Sequence, residues 1–274
     1  MKNFIFRKDI TMKLDFSGKT AVVFGASRGI GEAIATEIAR AGAAVYVAAR
    51  GEKSSLNVKE KLTEAGLSAE ACVADVSKYE DVDAVLCKAI KETGRLDIVV
   101  NNAGIVCLSS FLEATQEEIR ELIDINLMGA NNGCQAAIKH MIELGISGKV
   151  VNTSSFAGRH ALQAGFSHYG MTKAGVIYLT QAAAYAGAPY NINVNAVCPG
   201  IIRSKMWETI LDSYVENGLD REESWKESLK TFIPLARGDQ KAEDIAYTVA
   251  FLCSEYADHI TGQAINVDGG AAMN

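Results

Sequence analysis

Tyr169 and Lys173 stand four residues apart in Ser167-His168-Tyr169-Gly170-Met171-Thr172-Lys173, and Ser155 lies one strand-to-helix connection upstream. On a helix, positions i and i+4 share a face, so the phenol and the ammonium look at the same spot. A neighbouring cation favours the phenolate and draws a tyrosine pKa down from about 10 toward working pH. The chemistry this predicts is proton transfer in a hydroxyl–carbonyl interconversion, with Tyr169 as general acid and base and Ser155 holding the oxygen. The same spacing is common on helix surfaces, so its weight comes from what surrounds it.

Upstream, Ala21-Val22-Val23-Phe24-Gly25-Ala26-Ser27-Arg28-Gly29-Ile30-Gly31 leads into a helical pattern from Glu32 to Arg40. An apolar run typical of a buried parallel strand enters a glycine-rich turn and then a helix. Such a turn lets backbone N–H groups approach a pyrophosphate, and the helix N-terminus favours negative charge. The spacing is G-x-x-x-G-x-G, which a search for the commoner G-x-G-x-x-G misses.

Taken together, these residues resemble the short-chain dehydrogenase/reductase family, in its common type of about 250 residues. The resemblance runs in family order from about Leu14 to the C-terminus. It is carried by Gly25, Gly29 and Gly31, by Asp75 in Ala74-Asp75-Val76, and by Asn101-Asn102-Ala103-Gly104. Asn126, Ser155, Tyr169, Lys173, Pro199-Gly200 and Val267-Asp268-Gly269-Gly270 complete it. Phe24 departs from the threonine usual before the first glycine, which removes a side-chain hydrogen bond but no backbone donor.

The resemblance implies a catalytic tetrad of Asn126, Ser155, Tyr169 and Lys173. In it, Tyr169 moves the proton, Lys173 lowers its pKa and binds the nicotinamide ribose, and Ser155 steadies the substrate oxygen. Asn126 matches the asparagine that holds a water of the proton relay. Ser154 is an adjacent competitor that fits the family spacing less well. The implied cofactor contacts are Gly25, Ser27, Arg28, Gly29, Ile30 and Gly31 at the turn, then Arg50, Asp75, Val76, Asn102, Ala103 and Gly104. Tyr169, Lys173, Pro199, Gly200 and Ile202 follow. Asp75 corresponds to the residue whose side chain meets the adenine amine.

Cofactor choice is written at the end of the second strand. NAD-binding folds place a carboxylate about 20 residues after the glycine turn, for the ribose hydroxyls. Here Val45-Tyr46-Val47-Ala48-Ala49 offers no acid and Arg50 follows directly, while Arg28 lies inside the turn. Two guanidiniums suit a 2′-phosphate, so NADP(H) is expected over NAD(H).

A chain of 274 residues, 49% hydrophobic and 22% charged, can bury one large core and suits a single α/β domain. A net charge of −6 makes no electrostatic case for nucleic acid or an anionic membrane. No apolar stretch reaches the roughly 18 residues that span a bilayer. The six cysteines (Cys72, Cys87, Cys107, Cys134, Cys198 and Cys253) include no C-x-x-C pair. Free thiols in a reducing, cytoplasmic setting are expected. The four histidines lack metal-ligand spacing, so no metal is predicted.

Strand-like runs at Thr20–Phe24, Ala44–Ala49, Ala69–Ala74, Leu96–Asn101, Lys149–Thr153, Ile192–Val197 and Ala264–Val267 alternate with helical patterns. Right-handed crossovers would build one Rossmann-like, doubly wound parallel sheet with helices on both faces, in the family's order 3-2-1-4-5-6-7. Residues 1–13 read as a flexible extension with a second start at Met12, and 14–274 as the single dinucleotide-binding and catalytic domain.

Residues 201–232 read as an amphipathic helical lid over the substrate, with Met206 and Trp207 on its apolar face beside Ser155 and Tyr169. Its polar face is rich in acids, among them Glu208, Asp212 and Glu222. An acidic rim would repel coenzyme A or an acidic carrier protein, which favours a small neutral ketone. The runs Cys198-Pro199-Gly200-Ile201-Ile202 and Met206-Trp207 look similar to the acetoin/butanediol and polyol dehydrogenase branch. Hydroxysteroid dehydrogenases share the tetrad, and His160, Phe166 and Trp207 could line their wider cleft. A nucleotide-binding sensor or scaffold is the non-enzymatic alternative, although such proteins usually break the tetrad. The segment Ala174–Ala186 is apolar nearly all round and needs cover on every side, so a symmetric homo-oligomer, by resemblance a tetramer, is expected.

Overall fold

The seven apolar runs pair as one parallel sheet because each is flanked by a helix that returns the chain to the same edge. The strands are β1 (Thr20–Phe24), β2 (Ala44–Ala49), β3 (Ala69–Val73), β4 (Ile98–Asn101), β5 (Lys149–Thr153), β6 (Asn193–Pro199) and β7 (Ala264–Val267). Their order is β3-β2-β1-β4-β5-β6-β7, as expected, in a computed structural model that describes residues 13–161, 166–237 and 239–273. The predicted extension lies outside the described residues except for Lys13.

Side-chain alternation along β1 decides which layer each residue joins. Ala21 and Val23 pack with Ile34 and Ile38 of α1 (Gly29–Arg40), Val58 of α2 (Glu52–Glu64), and Ile245 and Val249 of α9 (Ala242–Cys253). Val22 and Phe24 point the other way, onto Val85 and Leu86 of α3 (Tyr79–Thr93), Ile138 and Met141 of α5 (Gly129–Leu144), and Ala183 of α6 (Ser167–Gly187). Both faces of the sheet are covered, which is why its strands read as unbroken apolar runs rather than alternating ones. A crevice opens at the carboxyl ends of β1 and β4, where the crossovers diverge toward opposite edges.

Two segments differ from the sequence patterning. From Thr115 to Leu144 the chain forms three pieces rather than one continuous helix: α4 (Gln116–Leu122), a π-helical segment (Ile123–Met128) and α5. Thr115 caps α4 through a box with Glu118, and the π turn then carries Asn126 to the loop after β4 and to α6. The lid is two helices, α7 (Lys205–Glu216) and α8 (Arg221–Phe232). Ser204 and Asp220 each cap a helix start by accepting a backbone N–H, so the chain renucleates after Gly218. Trp207 and Trp225 meet edge to face at 5.6 Å and join the two.

The sheet side of α6 buries Val176, Thr180, Ala183 and Ala184, while Met171, Tyr178 and Tyr185 stand on the opposite, open side. Among the described residues no helix is long and apolar enough to cross a membrane.

Candidate active site

The glycine turn is a backbone-to-backbone contact. Gly25 has φ +74°, and a Cβ there would stand 2.6 Å from the Ala103 backbone; one on Gly31 would stand 2.2 Å from the Gly25 carbonyl oxygen. No side chain fits at either place. Asn102 donates from Nδ2 to the Gly25 carbonyl at 3.0 Å and ties the end of β4 to the turn. The first turn of α1 therefore opens beside a wall made only of backbone, which is the cradle a pyrophosphate requires. Gly31 shapes that cradle from beneath and does not line the cavity.

A cavity of about 750 Å³ runs from this turn to α7 and α8. Gly25, Ser27, Arg28, Gly29, Ile30, Arg50, Val76, Asn102, Ala103 and Gly104 line one end. Ser155, Tyr169, Lys173, Pro199, Gly200, Ile202, Met206 and Trp207 line the other. Asp75 is absent from the wall: its Oδ1 accepts from the backbone N–H and the hydroxyl of Ser77, at 3.1 and 2.7 Å. His160 is exposed and away from the cavity, whereas Phe166 lines it.

Around the proton-transfer pair Ser154, Ser155 and Lys173 each have a definite neighbour. Ser155 lies beside the Tyr169 phenol and pulls its pKa down, and it accepts from the Ala157 N–H at 3.1 Å. Ser154 instead donates to the Lys173 carbonyl at 2.7 Å, so Ser155 is the serine whose hydroxyl meets the tyrosine. Lys173 Nζ donates to the Thr153 carbonyl at 2.9 Å. It would lie 3.3 Å from a Cβ on Gly104, so a side chain there would crowd the ammonium.

Asn126 does not reach the cavity. Its Oδ1 accepts from the Ile105 N–H at 2.8 Å, and its Nδ2 donates to the Ile105 carbonyl at 3.0 Å and to Thr172 Oγ1 at 3.1 Å. The side chain is a clamp on the loop that follows β4.

The structure reverses the expected electrostatics of the pair. Burial pushes the Tyr169 phenol up to about 12, against the opposing pull of Ser155, and pushes the Lys173 ammonium down to about 8. Desolvation of both groups outweighs their mutual effect because Lys173 Nζ stands 5.7 Å from the Tyr169 ring centre and turns to Thr153.

The family described as Enoyl-(Acyl carrier protein) reductase matches residues 25–272. Diacetyl reductase [(S)-acetoin forming] of Staphylococcus epidermidis is 36% identical over 254 residues, covering 92% of this chain and 98% of that protein. The 3-oxoacyl-[acyl-carrier-protein] reductase FabG of Staphylococcus aureus is 40% identical over 256 residues, covering 93% and 98%. Among solved structures, a short-chain type dehydrogenase/reductase from Mycobacterium marinum superposes with a TM-score of 0.86 at 34% identity, covering 96% of this chain and 98% of that one. The chain belongs to the short-chain dehydrogenase/reductase family. It is an oxidoreductase.

Within this dehydrogenase/reductase the residues of the cavity wall fit a nicotinamide dinucleotide. Beyond the glycine cradle, Thr153 presents a hydroxyl that is buried with no hydrogen-bond partner among the described residues. Arg28 and Arg50 reach the wall with no carboxylate within salt-bridge distance among those residues. Sequence reasoning did not single out Thr153, Ser54, Phe156 or Phe232, all of which line the cavity. Thr153 and Phe156 flank Ser154-Ser155 and could have been found by adjacency. Phe232 carries no local signal, since only the fold of α8 over α7 brings it there.

The acidic rim is also corrected. Glu208 and Asp212 face Arg221, and Glu208 and Glu222 face Arg203, across the outer side of α7 and α8. Charged residues on the described cavity wall are all cationic: Arg28, Arg50, Lys173, Arg203 and Lys205. Glu208, Asp212 and Glu222 are spent on Arg203 and Arg221, so these three erect no barrier to an anionic substrate.

Proposed function

We propose that this dehydrogenase/reductase interconverts a ketone and a secondary alcohol with NADP(H). The reading is carried by one observation: Ser155, Tyr169 and Lys173 line the same cavity as the glycine cradle. A nicotinamide dinucleotide in that cavity would supply or accept the hydride at the substrate carbon. In reduction the Tyr169 hydroxyl gives its proton to the carbonyl oxygen, and in oxidation the phenolate takes the alcohol proton. Ser155 holds the oxygen where charge develops, and Asn126 positions the loop beneath Lys173. Arg28 and Arg50 favour the 2′-phosphate through forked hydrogen bonds.

The preferred substrate is a small acyloin or diketone, in keeping with the diacetyl reductase relative and with a substrate end walled by Phe156, Phe166, Trp207 and Phe232. A 3-oxoacyl group on an acidic carrier is the second reading. Lys205 on the cavity wall, together with the carrier-protein reductase relative, favours it.

Oxidation of NADPH and of NADH by the purified protein, against acetoin, diacetyl, ketohexoses, oxo-steroids and a 3-oxoacyl thioester, tests these assignments. Turnover of diacetyl with NADPH, lost in Tyr169→Phe while cofactor binding persists, is the expected result. Equal use of NADH removes the role given to the arginines. Binding without turnover on any ketone favours a nucleotide sensor.

The apolar side of α6 is assigned to a contact between subunits in a symmetric oligomer of this 29.3 kDa chain, a tetramer by family resemblance. The six cysteines are free in the structure, which suits a reducing, cytoplasmic setting.

A further inference from the structure

On the side of the molecule where α3 packs against α5, three side chains of different chemistry converge. Asp83 and Cys87 lie one turn apart on α3, and His140 comes from α5. Cys87 Sγ stands 3.8 Å from His140 Nε2 and 3.8 Å from Asp83 Oδ2, and His140 Nε2 stands 2.8 Å from Asp83 Oδ1. The two helices are held at fixed separation by the buried contacts of Val85, Leu86, Ile138 and Met141. The three donors are therefore brought together by core packing rather than by their own attraction.

We propose that Asp83, Cys87 and His140 form a site for a divalent transition metal, Zn²⁺ by its donor set, that clamps α3 to α5. Zinc bonds thiolate sulfur at about 2.3 Å and imidazole nitrogen or carboxylate oxygen at about 2.0–2.1 Å. Tetrahedral angles then separate a sulfur donor from a nitrogen or oxygen donor by about 3.5 Å, so the observed 3.8 Å spacings need only small side-chain rotations. The Asp83–His140 contact is shorter than a metal-bound pair requires, and it is the one contact that the ion replaces.

The far side of the imidazole faces a carboxylate that lies beyond hydrogen-bond distance and closes on it by a side-chain rotation when the ion binds. His140 Nδ1 faces the Glu143 carboxylate at 3.8 Å, and a proton on Nδ1 leaves the Nε2 lone pair for the metal. A carboxylate behind a ligating histidine fixes the same tautomer in established zinc sites. Cys87 is exposed, so water can take the fourth position. As the sulfur–metal bond forms, the thiol releases its proton to solvent, so affinity falls as pH is lowered. The site escapes a search for ligand spacing because its donors are contributed by two helices 53 residues apart in sequence.

The test uses the full chain, stripped with a chelator and titrated with Co²⁺ as the spectroscopic probe, then with Zn²⁺. The expected result is one equivalent per chain, a thiolate-to-cobalt charge-transfer band, and its loss when Zn²⁺ displaces the cobalt. Cys87→Ser and His140→Ala should each abolish the band and weaken Zn²⁺ binding by more than about a hundredfold. Cys107→Ser should retain both. Zn²⁺ should also raise the melting temperature of the wild type but not of His140→Ala. Absence of the band in folded wild type overturns the proposal, and so does its persistence in Cys87→Ser. Either outcome would leave a plain Asp83–His140 hydrogen bond.

Discussion

Replacing Asn126 by alanine removes three hydrogen bonds at once and strands both backbone groups of Ile105. Thr172 keeps its own donation to the Tyr169 carbonyl at 2.8 Å, so its share of the loss is the smallest. At about 1 kcal/mol net per bond, with water partly replacing the protein at half-buried Ile105, the loss is about 2–3 kcal/mol. In a chain of this size that lowers the melting temperature by about 4–12 °C. The clamp also sets the loop that carries Gly104 against Lys173, and a displaced catalytic group costs up to about a hundredfold in kcat/KM.

Asn195→Ala separates the two effects. Asn195 accepts from the Gln263 N–H at 3.0 Å and donates to the Ile260 carbonyl at 2.7 Å, away from the cavity, so it should cost about 2 kcal/mol with little change in turnover per folded molecule. Thermal melts and steady-state kinetics on both variants read the difference. Wild-type turnover by folded Asn126→Ala would refute the positioning role, and an unchanged melting temperature would refute the energetic one.

Lys173 and Tyr169 together predict the response to pH. Reduction should slow as pH rises through about 8, where Lys173 loses its charge, while Tyr169, at about 12, stays a phenol across that range. For stability the signs follow from proton counts. Between about 8 and 10.5 the unfolded chain binds more protons at Lys173 than the folded one, so stability rises with pH. Between 10.0 and about 12 the folded chain binds more protons at Tyr169, so stability falls. Urea melts from pH 7.5 to 10 should show the rise in wild type and lose it in Lys173→Met; equal slopes would remove Lys173 as its source. The subunit contact assigned to α6 predicts that Tyr178→Glu with Tyr185→Glu lowers the mass in light scattering toward 29.3 kDa; an unchanged mass would place the contact elsewhere.

Much of the architecture is local in origin and was therefore legible in the chain. A strand buried on both faces must be an unbroken apolar run, and a turn that meets another backbone must be glycine. Thus Thr20–Phe24, Gly25 and the i,i+4 pair Tyr169 and Lys173 stand out without any knowledge of their neighbours. Tertiary structure decided what depends on distant partners. The acids of α7 face Arg203 and Arg221 rather than the cavity, which composition and periodicity alone do not determine. The tyrosine and lysine pKa values move apart because both groups are buried, and their spacing along the helix says nothing of burial. Asp83, Cys87 and His140 meet only because α3 and α5 pack together through an apolar seam. Spacing along one chain segment encodes which residues share a face, whereas charge pairing, desolvation and ligand clusters are set by what the fold places opposite that face.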